Sequence, residues 1–198
     1  QAGAQDPRYL RVPQMEEYEQ VLAQSNQIVR WTIAPELPGA LELGRELRRR
    51  GIIAAIGHSN AVYDEVLQAY ESGYSLVTHL YSGMSTVVRK QGYRYAGVVE
   101  SALLLDELTV EIIADGHHLP ASLLKLIYKV KGSDRICLVT DSMRAAGMPE
   151  GTYRLGSLDD GQEVIVEGGV AKLPCRTAFA GSVATANVLV RTMVEKAE

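Results

Sequence analysis

Five short runs of apolar, largely β-branched residues punctuate the chain: Ile28–Ala34, Ile52–Gly57, Ser75–His79, Thr109–Asp115 and Arg135–Asp141. Each is apolar at successive positions rather than alternate ones, the pattern of strands in a sheet covered on both faces. Between them the apolar positions recur at helical spacing. Pro38–Arg50 carries Leu41, Leu43 and Leu47 and closes on Arg48, Arg49 and Arg50 before Gly51. Cations there complement the negative end of a helix dipole, which accounts for the basic run better than a nucleic-acid patch does. Asn60 is placed to cap a helix over Ala61–Ser72, whose Val62, Val66, Leu67 and Tyr70 share a face and which Gly73 stops. Pro120 suits the first position of Ala121–Lys131, which turns Leu123, Leu124 and Ile127 inward.

Alternating strands and helices predict an α/β fold with a parallel sheet and right-handed crossovers. The connection from His79 to Ser101 is the longest, and loops of that length usually carry function or lack order. After Asp141 the pattern changes. Gly147, Gly151, Gly156, Gly161, Gly168 and Gly169 punctuate Tyr153–Leu173, which reads as a β-hairpin insertion within 150–175 rather than a sixth strand–helix unit. A last helix is expected over Thr185–Ala197. Residues 1–198 read as one domain. Five units are too few to close a barrel of eight, which takes about 250 residues, and the pattern alone leaves a doubly wound open sheet as an alternative.

Composition narrows the class. With 46% hydrophobic and 22% charged residues the chain is neither disordered nor fibrous. Its 20 Lys+Arg against 24 Asp+Glu give a net charge of −4, which argues against nucleic acid as a partner while leaving room for one bound phosphate. No stretch approaches the roughly 20 apolar residues of a membrane span, and no signal peptide opens the chain, so a cytoplasmic protein without a membrane partner is expected. Cys137 and Cys175 are too few for a disulfide framework or a thiolate zinc site, and Cys137, inside an apolar run, is expected to be buried. The chain opens at Gln1 and closes on Glu198 within a helical stretch, which predicts a piece of a longer protein.

Polar groups follow the strand ends, where ligand sites of parallel α/β folds lie. Glu36 comes after the first run, His58 after the second and His79 at the end of the third. Asp115 closes the fourth, with His117 and His118 next, and Asp141 closes the fifth. A lone histidine is more often a satisfied structural residue than a ligand, but two at equivalent strand ends make a plausible metal pair. A catalytic zinc needs about three protein ligands and no third is obvious; Glu36 is a candidate by position, though a Pro-Glu pair at a helix start more often serves capping and dipole balance. Asp141 is the best general base, its alternative being a helix cap, and Asp115 ranks second because Asp-Gly is also a turn signal. The loop Tyr81–Gly97 brings Arg89, Lys90 and Arg94 behind Ser82-Gly83, either a phosphate cradle or a solvated loop.

Several of these stretches are familiar in combination: Thr32-Ile33-Ala34-Pro35-Glu36, Gly57-His58-Ser59-Asn60-Ala61, Thr78-His79-Leu80-Tyr81, Ile113-Ala114-Asp115-Gly116, Leu138-Val139-Thr140-Asp141, Gly151-Thr152-Tyr153-Arg154-Leu155-Gly156 and Ala180-Gly181-Ser182. Together, and in this order, they resemble N-acetylglucosamine-6-phosphate deacetylase of the amidohydrolase superfamily. The resemblance implies an incomplete (β/α)8 TIM barrel, usually dimeric, that removes the acetyl group of N-acetylglucosamine 6-phosphate in amino-sugar catabolism. It implies one divalent metal per site, zinc or iron, with His58 and His79 as ligands and Asp141 as the catalytic acid/base. It places Ser82 and Gly83 where backbone N–H groups meet the sugar phosphate, and Arg89, or Lys90 by a one-residue shift, at the phosphate-binding arginine, which a neighbouring subunit can supply. His118 matches the substrate-binding histidine of an Asp-Gly-x-His pattern, and Ala178–Ser182, with Ala180, resembles the lining of the acetyl side. The family's metal-binding glutamate lies in a Glu-Gly-Pro segment that would precede Gln1. Gln5 stands where many relatives carry a substrate-contacting histidine; it can donate to a carbonyl but cannot become cationic. The alternatives are a non-catalytic phosphosugar-binding or dimerising chain, and an amidohydrolase for another amide.

Overall fold

The computed structural model describes residues 1–197, and the chain divides into two compact units; the expected helical end at Glu198 lies outside the described residues. The first unit holds Gln1 and Leu10–Glu111, and the second holds Ala2–Tyr9 and the residues from Ile112 onward. In chain order the first unit contains α1 (Met15–Gln24), β1 (Arg30–Ile33), α2 (Ala40–Arg49), β2 (Ile53–Ile56), α3 (Tyr63–Glu71), β3 (Tyr74–Val77), β4 (Val88–Lys90), β5 (Tyr93–Tyr95), α4 (Val98–Leu104) and all but the last residue of β6 (Thr109–Ile112).

The parallel sheet forms as the sequence pattern predicts. Arg30 pairs with Ile53 and Ile33 with Ile56; Ile56 in turn pairs with Val77, and Val77 with Val110. Ala54, Ala55, Ile56, Val77 and Val110 are wholly buried, which is why these strands lack polar alternation. Leu43 and Leu47 of α2 are buried with them. Gly44 lies so close beneath the Tyr74 ring that a Cβ would sit 2.3 Å from it, and the Tyr74 hydroxyl donates to the Ala40 carbonyl at 2.8 Å. The basic end of α2 is consumed locally, since Arg49 and Arg50 both pair with Glu46.

Two details differ from the expectation. Helix α3 starts at Tyr63, after Val62, whose N–H is capped by the Glu65 carboxylate at 2.8 Å; Asn60 serves elsewhere. The long connection after β3 is not a bare loop. It holds the antiparallel ribbon β4–β5 and the helix α4.

The second unit contains α5 (Ala121–Lys131), β7 (Ile136–Leu138), β8 (Gly151–Leu155), β9 (Gln162–Glu167), β10 (Val170–Lys172) and α6 (Ala186–Lys196). The parallel sheet has the order β1-β2-β3-β6-β7, so among the described residues β1 and β7 are its edges. Cys137 is exposed rather than buried, because an edge strand lacks the cover that its apolar sequence suggests. Strands β8, β9 and β10 form a separate antiparallel sheet of three strands. Its Val164, Val166 and Ala171 join Met143, Ala145 and Ala180 in one buried cluster. No helix among the described residues is long and apolar enough to cross a membrane.

Candidate active site

Three parallel strands hand over to their loops through residues in the left-handed backbone region. His58 follows β2 with φ 49°, His79 follows β3 with φ 32° and Asp141 follows β7 with φ 48°. Positive φ is uncommon for a residue with a side chain and persists only where its surroundings hold it. Tyr81, Gln91 and Arg176 share the feature. Half of these strained positions are thus the ones the sequence singles out for metal binding and proton transfer.

In the first unit, neighbouring strands β2 and β3 bring His58 and His79 together, ring centroids 4.9 Å apart and nearly perpendicular. His79 is buried, and its Nδ1 has no hydrogen-bond partner among the described residues. A buried ring nitrogen without a partner carries a desolvation penalty unless something else satisfies it. His58 Nδ1 lies 3.0 Å from the Gln1 carbonyl. A carbonyl only accepts, so Nδ1 is the donor in that contact. Gly83 makes this approach possible, since a Cβ there would meet His58 Nδ1 at 2.8 Å. Gly57 is equally confined: a Cβ would come within 2.5 Å of Thr32.

Glu36 does not join the histidines. Its Oε2 accepts from the Ser59 hydroxyl at 2.7 Å and its Oε1 from the Asn60 N–H at 2.6 Å. Among the described residues no group of three or more His, Cys, Asp or Glu is arranged to hold a metal ion. The two imidazoles fit a divalent metal as part of a ligand set.

Ser82 returns its N–H to the His79 carbonyl at 3.0 Å, closing a turn ahead of Gly83. In the ribbon, Arg89 stands directly opposite Arg94, and Lys90 opposite Tyr93. Successive residues of a strand face opposite sides, so Arg89 and Arg94 share one face and Lys90 lies on the other, its Nζ 5.6 Å from the Tyr95 ring centre.

In the second unit the Asp115 carboxylate is almost fully buried and fully engaged. Oδ1 accepts the N–H groups of His117 and His118, both at 2.8 Å, and Oδ2 lies 2.7 Å from His118 Nδ1. Burial pushes the Asp115 carboxyl up, but the His118 ring bond and the two backbone bonds outweigh it and hold the group below its ordinary value. A carboxylate held by three N–H donors orients an imidazole; it is poorly placed to be a base itself. Phe179 packs on the His118 ring, centroids 4.8 Å apart, while His117 is exposed. Asp141 is exposed at its side chain and tied at its backbone, where its carbonyl accepts the Ser182 N–H at 2.9 Å. Ala180 is wholly buried in the cluster beneath the three-stranded sheet, and Gln5 is exposed. Ser59 and Ser85, which brace the histidine loop, escaped the sequence reading because their partners lie far along the chain. The Arg89–Arg94 pairing had a local signal, Gln91-Gly92 between two short strands.

Reactive side chains at the carboxyl ends of parallel strands place the chain in the broad class of α/β proteins with strand-end sites. No protein-family model matches it. It is 39% identical over 193 residues to the N-acetylglucosamine-6-phosphate deacetylase of Lysinibacillus sphaericus, covering 97% of this chain and 48% of that protein. It is 34% identical to the N-acetylgalactosamine-6-phosphate deacetylase of Escherichia coli O157:H7, covering 98% and 49%. A crystallised variant of the Mycobacterium smegmatis N-acetylglucosamine-6-phosphate deacetylase, in complex with N-acetyl-D-glucosamine-6-phosphate, superposes with a TM-score of 0.90 at 34% identity, over 98% of this chain and 49% of that one. The chain belongs to the N-acetylglucosamine-6-phosphate deacetylase family and spans about half the length of the curated relatives it matches.

Proposed function

We propose that the chain is the central part of a cytoplasmic, homodimeric (β/α)8-barrel deacetylase, with 150–175 as an inserted β element. The reaction is hydrolysis of N-acetylglucosamine 6-phosphate to glucosamine 6-phosphate and acetate. The observation that carries this reading is the buried, unpartnered Nδ1 of His79 beside His58, both on left-handed turns at adjacent strand ends. A divalent metal, zinc or iron, would supply Lewis acidity toward the amide carbonyl and lower the pKa of water. His58 and His79 would hold it. The Gln1 main-chain nitrogen lies 2.6 Å from the His58 carbonyl, and a Glu-Gly-Pro segment ahead of Gln1, as the family resemblance implies, would supply the third ligand.

Asp141 takes the proton of the attacking water and returns it to the departing amine. His118, its ring fixed by Asp115, presents Nε2 to the sugar, and Ala178–Ser182 lines the acetyl side. Gln5 donates a hydrogen bond toward the substrate. Gly83 and Arg89 receive the phosphate; Lys90, on the opposite face of the ribbon, does not. The test is acetate release by the full-length enzyme from N-acetylglucosamine 6-phosphate, its galactosamine epimer and unphosphorylated N-acetylglucosamine, with and without chelator. The expected result is chelator-sensitive turnover that favours the first. Preference for the epimer would assign the chain to the galactosamine branch, and chelator-resistant turnover would refute the metal reading.

A further inference from the structure

Glu36 is a carboxylate at a strand end, half-buried, and nothing in the proposed chemistry uses it. Its two oxygens hold the residues immediately after His58, the Ser59 hydroxyl at 2.7 Å and the Asn60 N–H at 2.6 Å. Ser59 is wholly buried, and its Oγ also accepts the Ala61 N–H at 3.0 Å. The network continues inward. The Ser59 carbonyl accepts the Ser85 N–H at 2.9 Å, the Ser85 hydroxyl donates to the Ala61 carbonyl at 2.6 Å, and the Val98 N–H donates to Ser85 Oγ at 3.0 Å. Ser85 lies two residues beyond Gly83, the residue pressed against the His58 ring.

This web meets a specific need. A left-handed histidine relaxes unless neighbouring bonds fix it, and His58 is bounded on one side by the confined Gly57 and on the other by Ser59 and Asn60. Bonds to a charged acceptor are shorter and stronger than neutral ones, and the Ser59 hydroxyl and the Asn60 N–H, on the two residues that follow His58, both donate to the Glu36 carboxylate.

We infer that Glu36 is a positioning residue: its carboxylate, through Ser59 and Asn60, holds the left-handed turn that aims the His58 ring at the metal. The inference rests on the metal reading of His58 and deepens it. Outer partners of this kind alter metal affinity by about 10–100-fold when removed.

The experiment is a Zn2+ titration against a chromophoric chelator on the full-length enzyme, alongside metal-free thermal unfolding. Glu36→Ala and Ser59→Ala should each weaken Zn2+ binding by about 10-fold or more, and the double variant should lose little beyond the larger single loss, because the two substitutions share the Ser59–Glu36 bond. Glu36→Gln keeps an acceptor for the Asn60 N–H and should recover part of the affinity. Loss in Glu36→Ala with Ser59→Ala unaffected would make Glu36 a ligand and overturn the inference. So would a lowered melting temperature with unchanged Zn2+ affinity in both, since that is a structural role only. His58→Ala serves as the reference: if it leaves Zn2+ affinity unchanged, the metal reading fails and this inference fails with it.

Discussion

At His58 the backbone occupies a region that costs an L side chain roughly 1–2 kcal/mol, and asparagine tolerates it better than a β-branched residue does. Metal-free His58→Val should therefore be less stable than His58→Asn by about 1–2 kcal/mol in urea unfolding; equal stabilities would mean the turn is not held as described. Asp115 makes a second prediction at this scale. Its carboxyl is held below the ordinary 3.8 by the His118 ring and two backbone N–H groups, against the opposing effect of burial. A depressed carboxyl contributes stability that is present above its unfolded pKa and is lost as pH falls through the folded one. Asp115→Asn should cost about 1–3 kcal/mol near neutral pH, and the gap to the parent should shrink below about pH 3.8. A gap that stays constant down to acid pH would show that the charge is not what matters. The candidate residues themselves are legible in the sequence because each follows an apolar run directly. What Glu36 and Asp115 do is not, since position alone offers Glu36 a capping or a ligating role, and only the geometry shows the Ser59 hydroxyl and Asn60 N–H on its two oxygens.

Among the elements, the ribbon β4–β5 carries an internal conflict. Arg89 and Arg94 face each other across the strands, and like charges directly opposite destabilise a pair of strands. An anion between them removes the repulsion. In the full-length enzyme Arg89→Ala and Arg94→Ala should each raise KM for the phosphorylated sugar with little change in kcat, whereas Lys90→Ala should leave KM alone. Equal KM values for the phosphorylated and unphosphorylated sugars in the parent would remove the basis for this pair. The pattern of the parallel strands is readable because burial on both faces erases polar alternation. Helix α1 escapes notice because only Tyr18 and Leu22 are buried, too narrow a stripe to show a period. Helix α4 is seven residues long and buries Val98, Val99, Ser101 and Ala102, which is more a cluster than a stripe.

For the whole molecule, ligand counting sets the expectation. Two neutral imidazoles give a divalent ion no charge compensation, and structural and catalytic zinc sites use three or more protein ligands. This chain alone should bind Zn2+ weakly and deacetylate little. The full-length enzyme should bind tightly, and there Asp141→Asn should abolish turnover while metal content, measured by elemental analysis, stays as in the parent. Tight binding by the isolated chain would mean that a carboxylate within it has been assigned wrongly. The sheet's edge at β7 offers one more handle. Cys137 is an exposed thiol on that strand, and Cys175 is exposed in the loop after β10. If further strands close the barrel beside β7, Cys137 is sealed from solvent while Cys175 stays open. Peptide mapping after maleimide labelling should then find Cys137 modified on this chain but protected in the full-length protein, with Cys175 modified in both, which turns a single sulfur atom into a gauge of barrel closure.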